Sequence, residues 1–350
     1  MQGSFDRVQA VLTEKKPDRI PFFDMLHNDA VLNRFHGAPV EAGDEAGALH
    51  AVIEAVDATH GTGFSPRVPK EYTNVYGMDI KITRWTSWKS NRKYPSVEEY
   101  AASQRREFAA APADAPIDFA KNESYQATRE LFNRVGSSLF LPLDGPCSLL
   151  MGCYTALGLE MFSYYLADMP EIFSEILEHW TIYGCTWAQC LPNDDPFPAV
   201  MFLDDLAFKS GTILPPQWMR KEYFPRLARI LSAIKKRGKR VIFHSDGNVN
   251  AVVDDLVAAG IDALNPIETA SGMNMADLHR RHPKLVLIGG IPVIDVLAIG
   301  TPQTVRDAVV RAIEDTEGHL LVGSDSEIAN SVPLANFMAL RDTVLNYRIN

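Results

Sequence analysis

The second half of the chain alternates short apolar runs with segments in which apolar residues recur at helical spacing. Each run breaks into polar residues or glycine, as a buried strand does at its end. Helical spacing fills the intervals, for example in residues 225–236 and 252–259. Strand, polar loop and helix in this order predict a parallel sheet whose functional loops follow the strand ends. The five runs are residues 199–203, 241–243, 261–266, 285–290 and 319–323.

The first half of the chain is less regular. Residues 19–25 and 138–144 are typical of buried strands, and residues 61–66 allow a weak strand between them. Residues 72–94 are rich in Thr, Trp and Tyr and predict an inserted β-meander. Trp85 of this meander is interpreted as a packing residue. Helical patterns cover residues 48–58, 97–110, 119–135 and 149–166.

These elements predict a (β/α)8 TIM barrel, because the strand count reaches eight when the weak strand is included. A chain of 350 residues with 46% hydrophobic residues can form one α/β barrel. We therefore expect a single domain over residues 1–350, with residues 70–136 as decorations on the barrel. The sequence has no G-x-G-x-x-G or P-loop motif, which argues against an open nucleotide-binding sheet.

The charge balance narrows the set of partners. The net charge is -10 and the pI is about 5.4, whereas nucleic acids and anionic membranes require a basic face. No apolar run is long enough to cross a bilayer. The four cysteines have no C-x-x-C spacing and are interpreted as reduced thiols of a cytoplasmic protein. Apolar helix faces favour a homodimer. We expect its ligand to be a small-molecule substrate.

Polar residues gather where the predicted strands end. Asp204 and Asp205 follow one apolar run, and His244 and Asp246 follow the next. Successive strand side chains point to opposite faces, so only one of the two adjacent aspartates is expected to face the barrel mouth, while the other caps a turn. Polar residues at this end of a barrel are typical of catalysis. We predict catalytic roles for His244, Asp205 and Asp204.

Other strand ends supply candidate substrate contacts. Their carboxylate, imidazole and amide groups can hydrogen-bond a small ligand, although Asp and Asn in turns also serve purely local hydrogen bonds. The predicted substrate-binding residues are Asp24, His27, Asn248, Asn265 and Glu268.

Several motifs resemble the uroporphyrinogen decarboxylase superfamily, and the similarity extends over nearly the whole chain. It is greater to the cobalamin-dependent methyltransferase-like branch than to the porphyrin enzymes themselves. The resemblance implies a TIM barrel with its site at the C-terminal mouth. The motifs are residues 7–21, residues 203–225, His244-Ser245-Asp246-Gly247, Gly289-Gly290-Ile291 and Pro333-Leu334-Ala335-Asn336.

Two departures change the metal site that the resemblance implies. The branch has His-x-Cys-Gly at positions 244–247, with zinc on His and Cys, and a second Cys seven residues before the final Pro. This chain has Asp246 and Ser326 at the two Cys positions. We predict a divalent metal ion, zinc by analogy, held by His244, Asp246 and Glu327. Such a site is harder and more oxygen-rich than a thiolate site.

An oxygen-rich metal site suits an ether, an amine or a carboxylate better than a thiol. We therefore expect a methyltransferase-type enzyme that demethylates a small methylated compound and passes the methyl group to a corrinoid on a separate protein. One alternative is a decarboxylase or lyase of the same superfamily acting on a carboxylated or cyclic substrate, although residues 25–29 lack the arginines that hold propionates in the decarboxylases. The other is a non-catalytic ligand-binding barrel.

Overall fold

A computed structural model describes residues 2–61, 63–74, 77–90, 94 and 96–348. None of the helices within these ranges combines the length and the apolar character needed to cross a membrane. The α-helices are α1 (Ser4–Leu12), α2 (Asp29–His36), α3 (Glu45–Ala55), α4 (Val97–Ala110), α5 (Glu123–Val135), α6 (Leu150–Leu157), α7 (Leu159–Asp168), α8 (Pro170–Cys190), α9 (Pro216–Trp218), α10 (Phe224–Lys236), α11 (Val253–Ala259), α12 (Met275–Arg281), α13 (Pro302–Asp315) and α14 (Leu334–Asn346).

Eight strand segments, numbered here as barrel strands 1 to 8, close into a barrel. Strand 1 comprises residues 22–23 and strand 2 is centred on Ala58. Phe22 bridges Val322 of strand 8, Phe23 bridges Ala58, and Ala58 bridges Phe140 just before strand 3, so that the parallel sheet closes on itself. Strands 3 to 8 are Leu143–Asp144, Ala199–Leu203, Arg240–His244, Ala263–Ile267, Val286–Ile291 and Leu320–Ser324.

Apolar side chains fill the barrel interior. Phe23, Phe140, Met201 and Ile242 belong to one buried cluster that also includes residues of helix α1. Because full burial of such a side chain contributes roughly 1.5–3 kcal/mol, this layer stabilises the barrel strongly. The α1 residues in the cluster, which plug the N-terminal end of the barrel, are Val8, Val11 and Leu12.

A cluster of ion pairs stabilises the packing of helix α1 against the barrel. Asp57, at the start of strand 2, accepts hydrogen bonds from Arg7 at 2.6 Å and from Arg19 at 2.6 and 2.8 Å. The same carboxylate accepts the backbone N–H of Phe22 at 2.9 Å. Polar groups at the N-terminal end of the barrel are thus used for stability, and the opposite end is left for a site.

The inserted segment is an antiparallel three-stranded sheet of Lys70–Thr73, Asp79–Ile82 and Ser87–Lys89. It contacts the barrel mouth, because the Trp85 ring stacks on His27 with centroids 5.4 Å apart. Two further strand pairs lie near the mouth. Leu26–His27 pairs in parallel with Ile328–Ala329, and Ala207–Phe208 forms a hairpin with Gly211–Thr212.

The predicted TIM barrel with an inserted meander is confirmed, and two local predictions are wrong. The second barrel strand lies at Ala58 and not at residues 61–66, of which Thr62 is outside the described residues. The helical pattern over residues 48–58 concealed this strand in the sequence. In the structure, helix α3 already ends at Ala55 and the backbone becomes extended at Val56. The predicted helix over residues 149–166 is divided at Gly158, whose φ of 80° interrupts it. The single-domain organisation stays a prediction.

Candidate active site

His244 ends strand 5, and its ring is oriented by the neighbouring strand. Its Nδ1 lies 2.8 Å from Oδ1 of Asn265 on strand 6. Because an amide oxygen only accepts hydrogen bonds, Nδ1 carries the proton and Nε2 presents its lone pair. Nε2 faces Asp205 at 3.9 Å and Asp246 at 3.7 Å. Asn265 is thus placed to orient the imidazole.

Asp205, His244 and Asp246 form a group that could hold a metal ion. One ligand atom from each lies within 4.8 Å of the others. One imidazole and two carboxylates are a suitable donor set for a borderline or hard divalent ion. The other ring nitrogen of His244, Nδ1, is hydrogen-bonded to Asn265, as is usual for histidines that bind metals.

The loop that carries Asp246 is built by close contacts. Gly247 has φ of +85°, and a Cβ there would lie 2.7 Å from the backbone of Ala207. Its N–H donates to Glu268 at 2.7 Å, and Glu268 also accepts the Ser271 hydroxyl at 2.6 Å. Asp205 accepts the N–H of Asp246 at 3.1 Å. Only glycine fits this turn, and Glu268 is used to shape it.

Asp204 points away from this group. Its side chain is fully buried and accepts the N–H groups of Leu149 and Leu150 at 3.0 Å and of Met151 at 2.6 Å. These N–H groups lie at the start of helix α6, where they have no acceptor within the helix. Burial still raises the pKa of Asp204 to about 6. The predicted catalytic Asp204 therefore caps a helix, while its neighbour Asp205 faces the mouth.

Asp24 is also buried away from the mouth. It accepts the N–H and the hydroxyl of Ser324 at 2.9 and 2.7 Å and the N–H of Met25 at 3.0 Å. Burial raises its pKa to about 7, despite these hydrogen bonds. Asp24, which the sequence suggested as a substrate contact, joins strand 1 to strand 8.

His27 and Glu327 form a pair, with His27 Nδ1 2.7 Å from Oε2 of Glu327. The hydrogen bond from His27 lowers the pKa of Glu327. The group of three potential ligands described above contains Asp205 and not Glu327, so the carboxylate predicted as the third ligand is directed to an imidazole. Asn248, another predicted substrate contact, accepts the N–H of Asn250 at 3.1 Å within its own loop.

Carboxylates crowd the rest of the mouth. Burial raises the pKa of Asp246 to about 6, and repulsion from Asp205, Glu268 and Glu327 adds to the increase, whereas His244 opposes it. Burial likewise raises the pKa of Asp325 to about 6, and Glu268 and Asp246 add to the increase. A cation would relieve this repulsion.

His60 belongs to the mouth but was missed in the sequence. It follows strand 2, its ring is 5.7 Å from that of His244, and burial lowers its pKa to about 3, with His244 and His27 contributing. Its Nε2 is buried and has no hydrogen-bond partner among the described residues. Assigning strand 2 to the residues before His60 would have identified it as a strand-end histidine.

Comparison with known proteins agrees with this architecture. A methyltransferase from Methanosarcina mazei has a TM-score of 0.71 at 14% identity, over 98% of each chain. A putative vitamin-B12 independent methionine synthase from Listeria monocytogenes has a TM-score of 0.41 at 18% identity, over 66% of this chain and 70% of its own. A B12-independent methionine synthase from Shewanella sp. W3-18-1 has a TM-score of 0.45 at 13% identity, over 93% and 98%. The first likeness shows the fold, and the other two are too weak to add to it.

The fold and the polar mouth define a TIM-barrel protein of the kind that carries its site at the C-terminal strand ends. The sequence profile for uroporphyrinogen decarboxylase (URO-D) matches residues 157–347, more than half of the chain. The chain belongs to the uroporphyrinogen decarboxylase family, a family of enzymes. No protein with curated annotation matches it.

Proposed function

We propose that this protein is a methyltransferase-type enzyme that demethylates a small methylated compound and passes the methyl group to a corrinoid on a separate protein. The observation that carries the proposal is the group of Asp205, His244 and Asp246, with ligand atoms within 4.8 Å of one another at the mouth of a barrel of this family. The methyltransferase from Methanosarcina mazei shares this fold.

His244 and the two aspartates would have different roles in binding the ion. His244 would bind the ion through Nε2, because Nδ1 is turned to Asn265, and the two aspartates would supply oxygen ligands. A bound divalent ion would supply Lewis acidity to the heteroatom that carries the methyl group. Asp205 and Glu268 hold the loop of Asp246 through backbone N–H groups, so the carboxylates are preorganised before substrate arrives.

The electrostatics of the mouth disfavour a decarboxylase that binds a substrate with many carboxylates. Glu268 contributes to the raised pKa values of Asp246 and Asp325, and Glu327 adds to the increase at Asp246. A polyanion would add to this repulsion. We therefore expect no formation of coproporphyrinogen from uroporphyrinogen at a useful rate.

Metal analysis and a demethylation assay test the proposal together. The purified protein is loaded with Zn2+ or Mn2+ and mixed with a reduced corrinoid protein and a panel of methylated compounds, with His244→Ala as the control. Metal-dependent formation of methylcorrinoid that the control lacks would support the proposal. Metal binding with porphyrinogen decarboxylation would favour the decarboxylase, and absence of both metal binding and turnover would favour a non-catalytic barrel.

The remaining expectations concern the setting of this activity. A homodimer and a cytoplasmic location stay predictions from the sequence, and gel filtration with light scattering would test the first. A barrel that acts on a separate corrinoid protein would need its mouth accessible in either oligomeric state.

A further inference from the structure

Two buried nitrogen atoms on one side of the mouth have no hydrogen-bond partner among the described residues. They are Nε2 of His60 and Nε1 of Trp85. Leaving a buried polar atom unsatisfied costs about 1–3 kcal/mol, so such atoms in native proteins call for a ligand or a bound water. The two atoms are therefore a place where a ligand would be stabilised.

Both rings are held in place by stacking. His60 stacks on Phe23 of strand 1, with centroids 6.1 Å apart and planes at 14°. Trp85 stacks on His27 at 19°. The His60 ring lies 5.7 Å from that of His244, and burial lowers its pKa, with His244 and His27 contributing. The unpartnered nitrogens thus belong to stacked rings, of which His60 lies beside His244 of the candidate metal group and Trp85 lies against His27.

The meander is anchored where it presents Trp85. Arg84 makes a bidentate ion pair with Asp29 at the start of helix α2, with contacts of 2.5 to 3.0 Å. The Arg84 guanidinium also lies 5.6 Å from the centre of the Trp85 ring. An ion pair and a cation–π contact fix the indole at the mouth. Trp85 also packs against the hydrophobic core, as expected from the sequence.

The two sides of the mouth differ in charge. Strands 5, 6 and 8 contribute the crowded carboxylates Asp246, Glu268 and Asp325, which attract positive charge, whereas Glu327 is paired with His27. Strands 1 and 2 and the meander contribute His60 and Trp85. An indole nitrogen only donates hydrogen bonds, and a neutral imidazole donates when its proton is on Nε2.

We propose that His60 and Trp85 form a hydrogen-bonding subsite that receives an acceptor oxygen of a small methylated ligand whose positive end faces the carboxylates of strands 5, 6 and 8. The ligand class is dipolar, with a methylated cationic nitrogen and an oxygen that accepts hydrogen bonds. The inference rests on the proposed function for the methylated character of the ligand. It makes the inserted meander part of the binding site.

A pair of probes of equal charge and similar shape tests the acceptor requirement. Choline carries a hydroxyl oxygen where n-propyltrimethylammonium carries a methyl group. Binding is followed by NMR of the indole N–H signals of the five tryptophans, with and without Zn2+ and without any corrinoid. Trp85→Phe assigns its signal and removes the N–H while keeping a stacking ring. Trp88→Phe, at a side chain 66% exposed on the same meander, is the matched control.

Choline should bind saturably, shift the Trp85 signal, and bind at least about fivefold more tightly than n-propyltrimethylammonium, the factor expected for one hydrogen bond of about 1 kcal/mol. Trp85→Phe should remove most of this preference, and Trp88→Phe should leave it unchanged. His60→Leu should weaken choline binding by a similar factor, and His60→Gln, which keeps a donor, should weaken it less.

Equal binding of the two probes by the wild type, absence of saturable binding, or an unchanged preference in Trp85→Phe would overturn the subsite. These outcomes are independent of the proposed function, because the measurement involves no methyl transfer. Methylcorrinoid formation from another compound together with any of them would leave the proposed function standing and remove only this inference.

Discussion

Two sets of aspartates at the same end of the barrel have opposite surroundings. Asp24 and Asp204 are buried outside the barrel mouth, and each accepts three hydrogen bonds from N–H or hydroxyl groups. Asp205 and Asp246 lie in the mouth, where Asp246 faces other carboxylates and a histidine. The first pair is satisfied by hydrogen bonds within the protein, and the second presents oxygen atoms that lie within 4.8 Å of each other and of a ring nitrogen of His244. The difference separates carboxylates that stabilise the barrel from those available to a ligand.

The largest effect should come from exchanging the neighbours Asp204 and Asp205 for alanine. Asp204→Ala should lower the free energy of unfolding by about 3–5 kcal/mol, because three N–H groups at the start of helix α6 lose a charged, fully buried acceptor. Asp205→Ala should cost about 1 kcal/mol or less, since its side chain is partly exposed. Urea unfolding followed by circular dichroism measures both.

Asp204→Asn serves as the control for this experiment, because it keeps one acceptor oxygen and a similar volume. Its loss should fall between those of the two alanine variants. Equal destabilisation by Asp204→Ala and Asp205→Ala would contradict the division of the two aspartates into a stabilising and an available one.

Metal affinity, in contrast to stability, should depend on the residues that lie in the mouth. His244→Ala and Asp246→Ala should each weaken binding of Zn2+ or Mn2+ by at least about tenfold, since one of three donors is removed, while the fold is retained. Asp246→Cys should tighten zinc binding by supplying a thiolate. Calorimetric titration of the wild type and the three variants measures this, with circular dichroism as the check on folding.

Identical metal binding in all four proteins, or none in any of them, would mean that the group does not hold an ion. His244 would then be a candidate general base or hydrogen-bonding group, because its Nε2 lone pair faces the mouth.

The buried aspartates should also make stability depend on pH. Burial raises the pKa of Asp24 to about 7 in the folded protein, whereas an unfolded aspartate has a pKa of about 3.9. Between these values the folded state binds more protons, so this group's contribution to stability is present at low pH and is lost as the pH rises toward and through 7. Asp24→Asn should flatten the decrease in unfolding free energy between about pH 4 and about pH 7. A slope equal to that of the wild type would show that Asp24 titrates normally.

The regular half of the barrel could be predicted from the sequence for a physical reason. Strands 4 to 8 are largely buried on both faces, so each contains an apolar run that ends in polar residues or glycine. Strand 2 has no such run, since Ala58 alone makes its bridges and a helix precedes it directly. This is why His60 was not recognised.

The site was predictable where it depends on strand ends and not where it depends on distant partners. Strand alternation predicted that only one of Asp204 and Asp205 faces the mouth, and the structure places Asp205 there with His244 and Asp246. The contact of Glu327 joins residues 300 positions apart. Its partner His27 is fixed by the pairing of Leu26–His27 with Ile328–Ala329, which has no local signal in the sequence.

The smallest effect should follow from changing Glu327, which the sequence suggested as a metal ligand. Its carboxylate is 2.7 Å from His27 and outside the group of three ligand atoms. Glu327→Gln keeps the shape and an acceptor oxygen while it removes the charge, so metal affinity should change by less than about threefold, as expected for a charge near but not on the ion. The same calorimetric titration, run beside Asp246→Asn as the matched removal of a ligand charge, measures it. Loss of affinity in Glu327→Gln as large as in Asp246→Asn would place Glu327 on the ion, and the distinction between the His27 pair and the Asp205–His244–Asp246 group would fail.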